Sequence, residues 1–207
     1  MGDAPRPVLH WYDFICPFCY IGQSRSALLV AAGLEVISLP FQAHPDIPAG
    51  GLVIGPRQGP RSEMLEREAA AEGLVLNWPD RIPNSRRALA AAEWVRRNRP
   101  AAFDELQRGL YQAHFALGED IEDQQVIDRH AVKAGVDAGA LRTALADGTA
   151  YAAVDLLERT GKQCGVYGTP AWLLGGRLVA GLVPMSEFER IAQNALAQRG
   201  LSERTSK

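Results

Sequence analysis

Cysteine is scarce in this chain, with three residues among 207. A small secreted scaffold stapled by disulfides needs many more, so stability must come from an apolar core, which a chain of this length can build. Charge of one sign is missing too. Lys and Arg total 22 against 24 Asp and Glu, a net charge of -2, and the two signs are mixed along the sequence. That balance gives no electrostatic case for a nucleic-acid or membrane-surface partner. Long apolar runs are also absent: no segment reaches the roughly 20 apolar residues that span a bilayer, and residues 1–7 hold no stretch of signal-peptide length. The expectation is a cytoplasmic protein. In that compartment thiols are kept reduced, and a cysteine pair is more often catalytic than structural.

Against that background the most informative segment is Cys16-Pro17-Phe18-Cys19. Residues 8–14 are branched and aromatic, with charge only at Asp13, and predict a buried strand. Pro17 stands where a first helical residue needs no donor and benefits from a fixed φ, and residues 20–32 continue as a predicted helix. A sulfur at such a helix start faces unsatisfied N–H groups and the positive end of the dipole, which favour thiolate. Cys16 is therefore the expected nucleophile. A thiol with a pKa near 8.5 is about 3% ionised at pH 7, whereas one lowered to about 6 is roughly 90% ionised. Cys19, one turn further in, is expected to be less exposed. It suits the resolving role, attacking the mixed disulfide formed at Cys16 and releasing the product. A zinc site would need two more ligands from Cys164 and one of His10, His44, His114 or His130, but no second paired motif exists, so no metal is expected. An inert disulfide is disfavoured with three cysteines and no secretory signal.

Residues 34–41 alternate loosely and end at Pro40, as a second strand would. Proline and glycine crowd residues 42–60, an ordered loop or boundary headed by His44-Pro45-Asp46-Ile47-Pro48. Residues 62–72, 84–97, 101–117, 123–134 and 137–146 each carry helical apolar spacing. Strands return at residues 171–174 and 177–180, flanking the hairpin signature Gly175-Gly176, and a last helix is predicted over residues 186–198. This order predicts an α/β protein, a thioredoxin fold interrupted by an inserted all-helical subdomain. Residues 1–55 and 150–207 would form the discontinuous thioredoxin-like domain and residues 56–149 the helical insertion. The acidic run Glu119, Asp120, Glu122 and Asp123 lacks the glycine and terminal glutamate of a calcium loop and reads as solvated.

Three separated segments carry a family resemblance. Asp13-Phe14-Ile15-Cys16-Pro17-Phe18-Cys19-Tyr20-Ile21-Gly22 resembles the active-site signature of the DsbA-like thiol-disulfide oxidoreductases, particularly the cytoplasmic FrnE type. Phe41-Gln42-Ala43-His44-Pro45-Asp46 and Pro83-Asn84-Ser85-Arg86 are similar to that group's second-strand exit and cleft-side loop. Gly165-Val166-Tyr167-Gly168-Thr169-Pro170 is similar to the loop that carries a cis proline beside the cysteines. The resemblance implies disulfide exchange with protein or glutathione partners through Cys16 and Cys19, with Thr169 and Pro170 holding the partner. It also implies no tightly bound cofactor, glutathione as a candidate co-substrate, and substrate contacts from Pro17, Phe18, His44 and Asn84. A homodimer is left open. A cis bond is accessible at proline at a cost near 0.5 to 1 kcal/mol, and leaves Thr169 free to pair with an extended peptide, as in strand addition. The residues alone equally allow Pro170 to begin an edge strand in trans.

The 2-hydroxychromene-2-carboxylate isomerases and kappa-class glutathione transferases also resemble this chain but typically present serine at the position of Cys16. A glutathione-dependent isomerase or transferase is therefore the alternative function, and a binding or chaperone module using the cleft a third. Several residues keep two readings. Asp13 can accept a proton from Cys19 as it attacks, or it can cap the following helix or pair with an arginine. Cys164 reads as a small buried hydrophobe or as a third redox thiol able to pair with Cys16. His44 also suits a turn and Asn84 a helix N-cap. His10, His114 and His130 are assigned to packing or surface.

Overall fold

The computed structural model describes residues 6–205; the sequence reading of residues 1–5 and of the last two residues lies outside them. The apolar run after the N-terminus forms β1 (Val8–Tyr12), with Val8, Trp11 and Tyr12 buried. Two short helices follow, α1 (Pro17–Ile21) and α2 (Gln23–Ala31), and carry the chain back to β2 (Val36–Pro40), which pairs parallel to β1 in the register Val8↔Val36 to Tyr12↔Pro40. The sequence predicts one helix over residues 20–32, but the structure breaks it at Gly22. A Cβ there would lie 2.9 Å from Phe18 O and 3.2 Å from the Trp172 ring, so the break and the glycine go together.

After β2 the chain forms β3 (Leu52–Val53), α3 (Pro60–Ala71), β4 (Arg81–Ile82), α4 (Arg86–Asn98), α5 (Pro100–Phe115), α6 (Gln124–Lys133) and α7 (Ala138–Ala146). The β3–β4 ribbon was not expected: two residues per strand are too few to show a period of two. α6 and α7 begin where Asp123 and Asp137 accept from backbone N–H groups of the first turn. The chain then returns through α8 (Thr149–Gln163), β5 (Ala171–Leu174), β6 (Arg177–Ala180) and α9 (Met185–Thr205), the last longer than its predicted span. The four-stranded sheet has the order β2-β1-β5-β6, with β5 antiparallel to both neighbours. Gly175 and Gly176 turn the hairpin with φ of 58° and 79°, values open to glycine at little cost.

The sheet is covered on both faces. On one, α2 and α9 bury Leu29, Trp172, Phe188 and Ile191. On the other, α8 approaches closely enough that a Cβ on Gly161 would lie 2.9 Å from Trp11 Nε1. The largest apolar cluster crosses from the sheet into the insertion, joining Tyr12, Phe14, Cys19 and Tyr20 to α4, α5 and Val154 of α8. Alanines 88 and 90–92 make this possible, since their small side chains let α4 sit deep in the cluster, fully buried. The cysteine segment is thus backed by the insertion's core. Further in along α4, the buried carboxylate of Glu93 is held by Arg96 at 2.8 Å and by Arg97.

Candidate active site

β1 delivers the chain to a tight turn in which Cys16 N–H donates to Asp13 O at 3.2 Å. Cys16 is extended (φ -87°, ψ 111°) and caps α1, its carbonyl accepting from the N–H groups of Cys19 and Tyr20 at 3.0 and 3.1 Å. Pro17 follows at the first helical position, as its missing N–H allows. Cys16 is half-buried as a residue, and Cys19 lies inside, 1% exposed. Both are free thiols.

The loop before β5 closes the site from the opposite side. The Thr169–Pro170 peptide is cis, and the Cys16 thiol donates to Thr169 O at 3.2 Å. The Thr169 hydroxyl is buried beside both sulfurs, outside ideal hydrogen-bond geometry but near enough to act as a weak donor to either. Two kinds of neighbour therefore act on Cys16. The Thr169 carbonyl favours the protonated thiol, whereas the Cys19 S–H, the Thr169 hydroxyl and the Cys19 N–H are donors that favour thiolate. Donors prevail: the Cys19 thiol first, then Thr169, bring Cys16 below the ordinary thiol range against the opposing effect of burial. Cys19 moves the other way, pushed well up by burial first and by the Cys16 sulfur second. These immediate donors act at the start of α1, a helix of five residues.

Asp13 lies directly behind the pair, fully buried. Its carboxylate accepts from Ala43 N–H at 2.8 Å and from Ile15 N–H at 3.4 Å, and no arginine pairs with it among the described residues. Ser85 neighbours the carboxyl without reaching hydrogen-bonding geometry. Burial pushes the Asp13 pKa up, with Ser85, Ala43, Ile15 and His44 opposing.

A family model described as DSBA-like thioredoxin domain matches residues 7–193. This chain belongs to the DSBA-like thioredoxin family. Among curated proteins it is similar to uncharacterized protein YwbO of Bacillus subtilis (strain 168), at 23% identity over 186 residues covering 86% of this chain and 91% of that one. Among solved structures it is similar to a probable DsbA oxidoreductase from Streptomyces coelicolor, with TM-score 0.78 and 25% identity over 92% of this chain and 90% of that one. It shares its fold with a 2-hydroxychromene-2-carboxylate isomerase at TM-score 0.72 and 20% identity, covering 97% and 98% of the two chains. The same holds for the cytosolic disulfide reductase DsbM from Pseudomonas aeruginosa with GSH, at TM-score 0.65 and 17% identity, covering 96% and 100%. The family and the Streptomyces coelicolor neighbour support an oxidoreductase or a related enzyme.

Within this DSBA-like frame the remaining candidates separate into those at the sulfurs and those away from them. Pro17 and Phe18 separate the two cysteines and are half-buried, and the Arg61 guanidinium lies 5.2 Å from the Phe18 ring centre. His44 is exposed on the loop that also supplies Ala43 N–H to Asp13. Asn84 is fully occupied within the chain: Oδ1 accepts from Gln42 Nε2 at 3.0 Å and from Arg86 N–H at 2.9 Å, and Nδ2 donates to Ile47 O at 2.6 Å. The N-cap of α4 is Ser85, so Asn84 stands one residue before the cap the sequence suggested for it, accepting from the first helical N–H and pinning the proline-rich loop to α4. Cys164 ends α8 and packs in the apolar cluster of Trp11, Leu39, Phe41 and Val166. Among the described residues no three His, Cys, Asp or Glu side chains gather as metal ligands. One residue escaped the sequence reading altogether. Tyr111 of α5 is buried with its ring 5.0 Å from Phe14, close enough to the pair that after burial the charge on Cys19 is the next cause raising its pKa. Nothing in the helical period of α5 marks it, because only the tertiary fold brings it there.

Proposed function

We propose that this DSBA-like chain is a cytoplasmic thiol-disulfide oxidoreductase of the FrnE type, exchanging disulfides with protein or glutathione partners. Cys16 thiolate attacks one sulfur of a substrate disulfide, forming a mixed disulfide and expelling the other sulfur as thiolate. Asp13 takes the proton of Cys19, whose thiolate attacks the Cys16 sulfur and releases the second substrate thiol. The enzyme pair ends oxidised and the substrate reduced by two electrons; the reverse sequence oxidises a dithiol. Thr169 and Pro170 hold the partner next to Cys16, with Pro17, Phe18 and His44 at the rim. The observation that carries this reading is the opposed tuning of the two thiols, one lowered and half-open, the other raised and buried, across the Thr169 carbonyl. The glutathione seen with DsbM, itself a cytosolic disulfide reductase, supports both the co-substrate and the compartment.

The test is equilibration in glutathione buffers of graded potential, followed by alkylation and mass analysis of the peptides bearing Cys16, Cys19 and Cys164. A reversible two-thiol transition confined to Cys16 and Cys19 is expected, and Cys19→Ser should accumulate a Cys16-glutathione mixed disulfide. Absence of any transition, with glutathione bound but not exchanged, would turn the assignment to a glutathione-dependent isomerase or transferase.

A further inference from the structure

β2 is the outermost strand on one side of the four-stranded sheet. The hydrogen bonds at its ends tell its two edges apart. Val8 N–H donates to Glu35 O at 2.8 Å and Phe41 N–H to Tyr12 O at 2.9 Å, so in the parallel register between them the odd-numbered residues of β2 bond to β1. The N–H and C=O groups of Val36 and Ser38 therefore point away from the sheet. Among the described residues neither makes a hydrogen bond on that side. Both residues are only half-buried. Pro40 comes next in the same orientation, but it is buried and has no N–H to offer. The open ladder thus runs over residues 36–38, and an unpaired strand edge is a template for another chain.

Val36 and Ser38 border a cleft of about 850 Å³ whose other walls come mainly from α2 and α5, and neither cysteine lines it. A five-residue strand lying about 4.8 Å from β2, about 17 Å long and in a layer about 10 Å thick, takes up about 800 Å³. One extended segment therefore fits between β2 and α5, whereas the sheet of a second copy does not. Val30, Pro100 and Ile37 give the cleft apolar surface, Val30 being 60% exposed. Of the charged groups on its walls, Glu72 is paired with Arg25, Arg96 with Glu93 and Arg108 with Glu105. Glu35 and Asp104 are exposed and make no ion pair among the described residues. The charge left over is negative and calls for a cation. We infer that this cleft binds an extended peptide segment, bearing apolar side chains and a lysine or arginine, as a fifth strand on β2. In such strand addition the main chain supplies affinity and the side chains supply selectivity. The site is separate from the thiol pair, and its use does not depend on disulfide exchange.

The probe is the cysteine-free peptide Lys-Val-Thr-Val-Thr-Lys, labelled with fluorescein and followed by anisotropy against the full chain alkylated with iodoacetamide, so that thiol chemistry contributes nothing. It should bind saturably. Alternate residues of an added strand turn their N–H groups to β2, so N-methylation of both valines and N-methylation of both threonines should differ: one should cost about 10-fold and the other be tolerated. Glu35→Lys and Asp104→Lys should each weaken the probe by about 2- to 5-fold, and leave unchanged a peptide with norleucine in place of its lysines. Ser38→Pro removes one outward N–H and none that pairs with β1, and should cost about 3- to 10-fold. Circular dichroism checks its fold, and the two exposed charge changes carry the test if the proline is not accommodated. No saturable binding, equal effects of the two N-methylated peptides, or indifference to both charge changes would overturn the inference. So would a dimer in sedimentation equilibrium that Ser38→Pro dissociates, which would give the edge to a second copy.

Discussion

Two histidines are held neutral inside this protein, and acid should expose the cost. His10 is buried and stacks on Trp172 with centroids 4.8 Å apart; His114 is buried edge-on to Phe115 at 4.6 Å. Burial lowers His10 from 6.5 to about 3, and burial first and Arg57 second lower His114 from 6.5 to about 4. Below pH 6.5 the unfolded chain takes up a proton at each ring, while the folded chain takes none until those lower values. Stability is therefore fully present above 6.5 and lost as pH falls from there toward 4 and 3. Linkage gives about 2 kcal/mol per ring between pH 7 and pH 5, about 4 kcal/mol for both. At pH 5 both folded rings are still neutral, so the figure depends almost entirely on the unfolded pKa. Asp13 works in the opposite sense. Its folded pKa is raised, so acidification relieves it in the window between 3.8 and the raised value. Urea unfolding at pH 7 and pH 5, followed by circular dichroism, isolates the rings when wild type is compared with His10→Asn and His114→Asn. Whatever each substitution costs at pH 7, each variant should lose about 2 kcal/mol less than wild type on acidification. A variant that loses as much as wild type, to within about 0.5 kcal/mol, would refute the account.

Removing the Thr169 hydroxyl with Thr169→Val should raise the pH midpoint of Cys16 alkylation and slow the reaction at pH 6, because a donor to the thiolate is lost; an unchanged or lower midpoint would show that the hydroxyl has no such role. Gly161→Ala should destabilise the protein by about 1–2 kcal/mol despite alanine's better helix propensity, since the new methyl meets Trp11 Nε1 at 2.9 Å. Thermal melts decide it, and an equal or higher Tm would mean that α8 shifts freely.

The parts legible in the sequence are those whose signal is local. The cysteine pair at the end of an apolar run, the Gly175-Gly176 hairpin, and the periods of α4 to α7 each declare themselves within a dozen residues. Others depend on what the chain meets later. The ring that leaves no room for a side chain at Gly22, between α1 and α2, belongs to Trp172, far along the sequence. The surroundings of Asn84 and Tyr111 arise from loops and helices that only the fold brings together. Asp13 illustrates the boundary. Its position before the cysteines was visible, but its burial and the N–H groups of Ala43 and Ile15 that it accepts from depend on the loop after β2.

Helix α8 serves two masters. Gly161 brings its end against the sheet, Val154 at its middle lies in the core shared with α4 and α5, and Arg86 of α4 holds both Asp155 and Glu158 on its surface. Glu158 also accepts from Gln42 N–H at 2.9 Å, at the exit of β2. The helical insertion is therefore not a detachable module on a finished scaffold. Excising it would strip one side from a helix that the sheet still needs and open the wall behind the inner sulfur. Over evolutionary time the two parts must then drift together, with variation at the α4–α8 seam compensated across it.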